Sequence, residues 1–273
     1  MPLEDHVGDV VRKARSAAGV SASVAAAAAG LTEAELSAME RDGKPTKQIN
    51  WLVLAQVLGI NASKLKTIAS GWVPAVPDLS AWRELRQITT SDDNMAVHCY
   101  LVWDDVCREA ALFDTGFVAN PIFKLIQDHG LILRHLFLTH LHHDHVGAMD
   151  AIRNEYPQVH IHANSTTFPP PLQNRANDFI HLGSLRISHR DTPGHSEEGA
   201  TYIVSNWPED APIVAFVGDA IFAGSIGRGN QSWILAKQKV FEHILTLPKD
   251  TLIGSGHGPW TTVAEERANN PFF

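Results

Sequence analysis

A dense group of side chains that can bind metal follows an apolar run at residues 136–138. From residue 136 to residue 147 the chain reads LFLTHLHHDHVG. His140 and His142 are two positions apart, so in an extended segment both imidazoles project to the same side and can bind one cation. Asp144 and His145 follow at the start of a predicted helix, where the chain turns towards a second position. Burying imidazoles and a carboxylate together is costly without a cation, so this spacing predicts a metal site.

Three further segments bring a histidine or an aspartate to a turn beside a predicted strand. They are TPGH ending at His195, the strand end VGD at Asp219, and the glycine-flanked GSGHGP around His257. Open α/β sheets place their sites at the carboxyl ends of strands, so side chains from several strand ends meet there. Each residue alone fits a structural role, whereas together with the first cluster they favour one shared site.

Other histidines are not expected to take part. The chain has 15 histidines and two cysteines, so a metal site here is built from imidazole and carboxylate rather than from thiolates. His143 is expected to point away from the cluster. His160 and His162 share one face of a strand, and we expect them to pack or to lie at the surface. The alternative to a metal site is a solvated, histidine-rich loop.

Short apolar or β-branched runs alternate with helix-length stretches in the part of the chain that carries these residues. Strands are predicted at residues 97–103, 110–113, 132–138, 159–162, 202–204, 213–217 and 252–253. Helices are predicted at residues 121–129, 146–156 and 233–245. This mixture predicts an α/β domain with both sheet faces covered.

The first 70 residues have a different pattern. Residues 5–69 predict a series of short helices, each followed by a glycine where the apolar stripe ends. Thr32 and Glu35 have the spacing of a capping box. Residues 70–80 contain two prolines and a glycine, which is typical of a linker. We therefore expect an all-α domain at 1–70, a linker at 71–82 and an α/β domain at 83–273.

The motifs HLHHDH, TPGH, GDAIFAGSIGR and GHGP follow in this order within residues 83–273. This set resembles the metallo-β-lactamase superfamily. Within it, the GSIGR segment and the C-terminal GHGPWTTVAEERANNPFF are similar to the short glyoxalase II-like thioester hydrolases (hydroxyacylglutathione hydrolases). The resemblance implies an αββα sandwich, in which two mixed sheets pack face to face with helices outside.

The resemblance also implies a ligand set for two divalent ions. It assigns the first ion to His140, His142 and His195, the second to Asp144, His145 and His257, and a bridging position to Asp219. Imidazole and carboxylate suit zinc, and iron or manganese as well. The implied activity is hydrolysis of a small thioester such as an S-acylglutathione by a metal-bridging hydroxide, with Asp144 orienting the nucleophile.

Two alternatives stay open. One is other chemistry on the same scaffold, namely that of a mononuclear-iron persulfide dioxygenase, a lactonase or a β-lactamase. The other is a DNA-binding regulator whose metal-containing domain senses a ligand. Arg228, which follows the GSIG segment, is expected either to bind a substrate carboxylate or to form a structural ion pair.

Residues 5–69 resemble the Xre-type helix-turn-helix of lambda-repressor-like regulators. The presumed recognition helix, residues 32–39, presents Glu33 and Glu35 and lacks the Arg, Lys, Asn or Gln side chains that read base edges. We therefore expect assembly into a homo-oligomer through this domain. DNA binding is the alternative. The lysines that could contact the DNA phosphate backbone are Lys44, Lys47, Lys64 and Lys66.

Charge and hydropathy exclude several classes of protein. The net charge is −8, and the first 70 residues hold 8 basic and 7 acidic side chains, which leaves 14 and 23 for the rest. This balance argues against a surface that binds nucleic acid or anionic lipid throughout. The first ten residues, MPLEDHVGDV, do not have the pattern of a secretory signal, and no apolar run approaches the ~18 residues of a membrane span. We expect a cytoplasmic protein with no membrane partner and with reduced cysteines.

Overall fold

The computed structural model describes residues 1–92 and 95–273. It begins with the short helices predicted for residues 5–69, which we call the helical unit. They are α1 (Val7–Ala17), α2 (Ala22–Ala29), α3 (Glu33–Asp42), α4 (Trp51–Leu58) and α5 (Ala62–Ala69). The capping box predicted at α3 is confirmed, because Thr32 N–H donates to Glu35 Oε2 at 2.7 Å and Glu35 N–H donates to Thr32 Oγ1 at 3.2 Å.

The first sheet contains both antiparallel and parallel pairs. Its strands are β1 (Leu85–Ser91), β2 (Ala96–Trp103), β3 (Glu109–Phe113), β4 (Ile132–Phe137) and β5 (His160–His162). They lie in the order β1-β2-β3-β4-β5, with β1, β2 and β3 antiparallel to one another in turn and β3, β4 and β5 parallel. The parallel connections carry α6 (Asn120–Asp128), α7 (His143–Val146) and α8 (Met149–Glu155).

The second sheet is mostly antiparallel. Its strands are β6 (Phe179–Leu182), β7 (Leu185–Asp191), β8 (Ala200–Ser205), β9 (Val214–Gly218), β12 (Leu252–Ser255) and β13 (Thr261–Thr262). The order is β13-β12-β9-β8-β7-β6, and β9 and β12 run parallel. A hairpin of β10 (Ile221–Phe222) and β11 (Ser225–Ile226) follows β9, and the remaining helices are α9 (Trp233–His243) and α10 (Val263–Asn269).

The two sheets pack face to face through an aromatic core. Phe113 of β3 lies between Phe137 of β4 and Phe216 of β9, with ring centroids 5.0 and 4.3 Å away. Apolar residues of α6 and α8 cover the outer face of the first sheet, and those of α9 and α10 cover the second. The α/β class and the αββα sandwich implied by the resemblance are therefore confirmed.

The helical unit packs against the outer side of the second sheet. Apolar residues of both parts form one buried cluster, which includes Ile68 of α5, Ile221 of β10 and Val263 of α10. A buried ion pair between Lys13 and Asp5 lies at this contact. Lys13 Nζ also donates to the carbonyl oxygen of Ile226 at 2.9 Å, and the Ser225 hydroxyl donates to Asp5. These contacts fix α1 against the β10–β11 hairpin.

Several observed elements differ from the predicted ones, and the short β10, β11 and β13 and the helix α10 were not predicted. Strands β1, β6 and β7 lie outside the predicted runs, because polar residues interrupt their buried positions. The helix predicted over residues 146–156 begins only at Met149, as α8, and the short α7 lies before it on the other side of Gly147. A Cβ at Gly147 would lie 2.9 Å from the carbonyl oxygen of His143, so a larger residue would not fit at this break. None of the described helices is long and apolar enough to cross a bilayer.

Candidate metal centre

The side chains predicted as metal ligands come together at one edge of the sandwich. The segment after β4 carries His140 and His142, α7 carries Asp144 and His145, the turn before β8 carries His195, and the segments after β9 and β12 carry Asp219 and His257. Both sheets therefore contribute candidate ligands. The candidate ligand atoms fall into overlapping groups in which all members lie within 4.8 Å of one another.

The first group consists of three imidazoles. His142 Nδ1 lies 3.0 Å from His140 Nε2 and 3.0 Å from His195 Nε2. Ligand nitrogens bound at about 2.0–2.1 Å to one zinc-sized ion are separated by roughly this distance. His140 is buried, whereas His142 lies at the surface, so the group is open on one side.

The second group contains a carboxylate and two buried imidazoles. Asp144 Oδ2 lies 3.2 Å from His257 Nε2 and 3.4 Å from His145 Nε2. Asp219 lies between the two groups. Its Oδ2 is 3.5 Å from His195 Nε2, and its Oδ1 is 3.3 Å from His145 Nε2. One oxygen of Asp219 therefore faces each group, which is the arrangement of a bridging carboxylate.

Two buried polar atoms at the centre lack hydrogen bonds to any described residue. They are His145 Nε2 and Asp219 Oδ1, which face each other. A buried polar atom without a partner costs about 1–3 kcal/mol, so the folded chain does not leave such atoms unpaired without a reason. A cation bound between them would satisfy both, and the donor set suits a divalent ion. The residues present therefore fit the metal that the resemblance implies.

Hydrogen bonds behind the candidate ligands orient their rings. His145 Nδ1–H donates to Asp114 Oδ2 at 2.8 Å, and Asp114 also accepts from Thr139 N–H at 2.8 Å and from its hydroxyl at 2.7 Å. His195 Nδ1–H donates to the carbonyl oxygen of Arg228 at 3.0 Å, and His257 Nδ1–H donates to that of Ala96 at 2.7 Å. Each bond engages Nδ1 and so directs Nε2 at the centre, where Nε2 can bind a metal ion in place of a proton.

Asp114 orients a candidate ligand, His145, and was not predicted from the sequence. It follows β3 and has φ 57°, a left-handed conformation that costs a residue other than glycine roughly 1–3 kcal/mol. Its three hydrogen bonds to Thr139 and His145 offset this cost. The available signal was an aspartate directly after a buried strand, in the sequence FDTG, which matches the pattern used for Asp219.

Charge is distributed unevenly over the centre. Burial and the neighbouring histidines hold the pKa of His140 well below its ordinary range. Burial also opposes the charged form of His145, but the carboxylates of Asp114 and Asp219 outweigh it and raise the pKa of His145 well above that range. Burial opposes ionisation of Asp219 as well, yet His145 and His257 hold its pKa well below its usual range. The Asp219 carboxylate therefore stays ionised, and the centre favours positive charge.

Glycines allow the strand ends to approach each other. A Cβ at Gly256 would lie 2.5 Å from Asp219 Oδ1, and a Cβ at Gly227 would lie 1.7 Å from the carbonyl oxygen of Asp219. No side chain fits at either position. The glycines of the GSGHGP and GSIGR segments are therefore needed because the backbone itself packs against the candidate ligands.

The histidines not expected to be ligands lie outside the centre. His143 is exposed and lies beside Phe117, with ring centroids 6.0 Å apart. His162 stacks on Phe137 at 4.5 Å, and its Nε2 lies 3.0 Å from His135 Nδ1. His160 Nε2–H donates to the carbonyl oxygen of Pro171 at 3.1 Å. These contacts agree with the packing or surface positions expected for them.

Comparison with known proteins identifies the family. Residues 92–257 match the model of the metallo-beta-lactamase superfamily. The chain is 33% identical over 199 residues to the probable metallo-hydrolase YqgX of Bacillus subtilis, covering 63% of this chain and 90% of that protein. It is 28% identical over 202 residues to the hydroxyacylglutathione hydrolase GloC of Haemophilus influenzae, covering 64% and 92%. It is also similar to the crystal structure of TTHA1623 in a di-iron-bound form, with a TM-score of 0.54 and 25% identity, covering 69% of this chain and 100% of that one. The chain belongs to the metallo-β-lactamase superfamily.

Proposed function

We propose that this protein is a dinuclear metallohydrolase that cleaves a thioester, of the glyoxalase II-like type. The observation that carries the proposal is the position of Asp219, with one carboxylate oxygen facing each ligand group. The name of GloC, a hydroxyacylglutathione hydrolase, supports the substrate class, and the di-iron form of TTHA1623 supports a pair of ions.

The proposed ligand assignment follows the two groups. His140, His142 and His195 would hold the first ion, and Asp144, His145 and His257 the second, with Asp219 shared between them. Bound ions would supply an activated water molecule and a Lewis acid for the acyl carbonyl. We propose zinc, and the same donors accept iron or manganese.

The surrounding side chains would keep the reacting groups in position. Asp144 Oδ2 is already engaged by His257 and His145, whereas its Oδ1 makes no hydrogen bond to a described residue. Oδ1 is therefore available to accept the proton of the attacking water and so to orient it. Asp114 holds His145 from behind, and the tight backbone contacts of Gly227 and Gly256 exclude solvent from that side.

One combined experiment tests the proposal against the alternatives. Purified protein is analysed for metal and assayed with S-lactoylglutathione, a lactone, a β-lactam and glutathione persulfide. We expect about two metal ions per chain and turnover of the thioester. A single iron with oxygen consumption on the persulfide would instead identify a dioxygenase, and turnover of only the lactone or the lactam would identify those activities.

A matched pair of variants within one motif sharpens the metal assignment. His142→Gln removes a proposed ligand, and we expect it to lower metal content and thioester turnover. His143→Gln makes the same change one position away, at an exposed ring that lies beside Phe117. We expect it to leave both quantities unchanged. Equal effects of the two substitutions would contradict the ligand set.

For the helical unit we propose an Xre-like helix-turn-helix used for assembly into a homo-oligomer. Val24 of α2 and Leu52 of α4 support this role, because their apolar side chains are 51% and 59% exposed. Light scattering of the full chain tests it, and a monomer at micromolar concentration would contradict it. A salt-dependent shift of promoter DNA would instead support the regulator alternative. The cytoplasmic location stays a prediction, supported by the free thiols of Cys99 and Cys107.

A further inference from the structure

A cavity of about 550 Å³ lies between the helical unit and residues 228–233 of the sandwich. We call it the α1 cavity. One wall comes from α1 and the other from the segment that follows β11, and the lining includes Arg12, Lys13, Ser16, Arg228, Asn230 and Trp233. The volume lies within the roughly 300–1,000 Å³ of small-molecule sites. Neither part of the chain forms this cavity by itself.

The α1 cavity begins next to the candidate metal centre. His195 Nδ1–H donates to the carbonyl oxygen of Arg228, a residue that lines the cavity. Gly227, one residue earlier, packs directly against the backbone of Asp219. A substrate whose acyl carbonyl lies at the centre therefore has this cavity beside it, on the His195 side.

The lining of the α1 cavity is cationic. No acidic side chain of the described chain lines it. Lys13 is neutralised by Asp5 and serves as an anchor for α1. Arg228 is exposed, and no described carboxylate lies within salt-bridge distance of it. Arg12 pairs with Asp9 at 2.5 Å, but its side chain is 45% exposed, and such a pair is readily exchanged for a ligand anion.

We propose that the α1 cavity binds the anionic end of the thiol part of the substrate, so that the helical unit supplies part of substrate recognition. This inference rests on the proposed thioester hydrolysis. Arg12 lies in one wall and Arg228 in the other, and guanidinium groups can bind carboxylate or phosphate with two parallel hydrogen bonds. Trp233 offers an aromatic surface for the apolar part of the same ligand. The helical unit is then a specificity-determining wall as well as an assembly module.

Steady-state kinetics with matched substrates test the proposal. S-Lactoylglutathione carries carboxylates on its thiol part, S-lactoyl-coenzyme A carries phosphates, and S-lactoyl-N-acetylcysteamine is uncharged. In Arg12→Gln we expect KM for one of the anionic thioesters to rise about tenfold with kcat retained, because one charge-assisted contact is lost. KM for the uncharged thioester is expected to stay the same. Whichever anionic thioester responds identifies the group that is bound.

The control is Arg41→Gln, which removes the same charge from the same helical unit. Arg41 pairs with the adjacent Asp42 and does not line the α1 cavity. We expect its KM values to match those of the parent for all three thioesters. The proposal would be overturned if Arg12→Gln raised KM equally for charged and uncharged thioesters, or if Arg12→Gln and Arg41→Gln raised KM equally.

Calorimetric binding of non-hydrolysable probes separates this proposal from the proposed function. S-Methylglutathione and S-methyl-coenzyme A are titrated into the parent and into Arg12→Gln. We expect one of the two probes to bind the parent about tenfold more tightly than it binds Arg12→Gln. If the parent hydrolyses no thioester but binding depends on Arg12, the hydrolase proposal fails and the anion site stands. If thioesters are hydrolysed but neither KM nor binding depends on Arg12, the anion site is refuted and the hydrolase proposal stands.

Discussion

Replacing Asp114 with asparagine tests how the second proposed metal site is oriented. Asp114 Oδ1 accepts from Thr139 N–H, and Oδ2 accepts from the Thr139 hydroxyl and from His145 Nδ1–H. An asparagine keeps its oxygen on the backbone N–H and places its NH₂ group where Oδ2 stood. Because the NH₂ group donates hydrogen bonds and cannot accept one, His145 Nδ1 must become the acceptor. The ring proton then moves to Nε2, the atom that faces Asp144 and Asp219.

The magnitude follows from the bond that must be broken. Binding a metal at His145 Nε2 in Asp114→Asn requires the other tautomer, which gives up one buried hydrogen bond at a cost of about 1.5–3 kcal/mol. We therefore expect the affinity for the second ion to fall about tenfold to hundredfold, with less effect on the first ion. Competition with a chromophoric chelator measures both affinities. Circular dichroism checks that the variant is folded.

Asp104→Asn is the matched control for this measurement. Asp104 is also buried and accepts from Ser184 N–H at 2.8 Å and from Cys107 N–H at 2.9 Å, but it follows β2 at the end away from Ala96 and His257. We expect it to lower stability while the metal affinities stay the same. Unchanged affinity for the second ion in Asp114→Asn, or an equal loss in both variants, would refute the tautomer argument.

Three further substitutions address the bridge, a buried acid and the contact of the helical unit. Asp219→Ala is expected to remove bound metal and turnover while the metal-free chain keeps its circular dichroism spectrum; unchanged turnover would mean that another residue bridges. Burial raises the pKa of Glu266 from 4.5 to about 7, so the folded chain holds a proton that the unfolded chain loses in this window. The free energy of unfolding should therefore fall by about 3 kcal/mol as pH rises from 4.5 to 7. In Glu266→Gln, urea titrations at each pH should no longer show this fall. The same pH dependence in both proteins would contradict the assignment. Lys13→Met leaves Asp5 buried without its cation and should lower the free energy of unfolding by about 3 kcal/mol, part of which Asp5→Asn in the same chain should restore. An unchanged free energy of unfolding in Lys13→Met would show that the pair does not stabilise the contact.

Local sequence patterns were sufficient to predict most of the side chains that lie together at the candidate metal centre. Four of the candidate ligands lie within six residues, so their proximity needed no knowledge of the fold. His195, Asp219 and His257 were found because each follows a short apolar run or a proline-glycine turn. Asp114 was missed because its role depends on the parallel pairing of β3 with β4, which brings the residue after β3 beside Thr139. The segment FDTG shows an aspartate directly after a strand, but it does not indicate the contact of Asp114 with Thr139.

The contact of the helical unit could not be predicted from local patterns either. Lysine side chains usually lie at the surface. The partners of Lys13, however, are Asp5 and the carbonyl of Ile226, 213 positions along the chain. Polar residues in β6 and β7 likewise hid two strands whose buried positions are defined only by packing against the first sheet. Periodicity detects a face that is apolar along one element. It does not detect a polar residue whose partner comes from a distant element.

The β10–β11 hairpin links the helical unit to the metal centre. Asp219 lies two residues before β10, and Arg228 lies two residues after β11. Lys13 binds the hairpin at Ile226, and the carboxylate of Glu266 accepts from Gly224 N–H at its turn. The same short segment therefore positions the proposed bridging ligand, the carbonyl that orients His195 and one wall of the α1 cavity. Because the hairpin holds all three of these positions, a substitution at the buried face of α1 is expected to alter substrate affinity as well as stability. The substituted side chain does not need to contact the substrate for this effect.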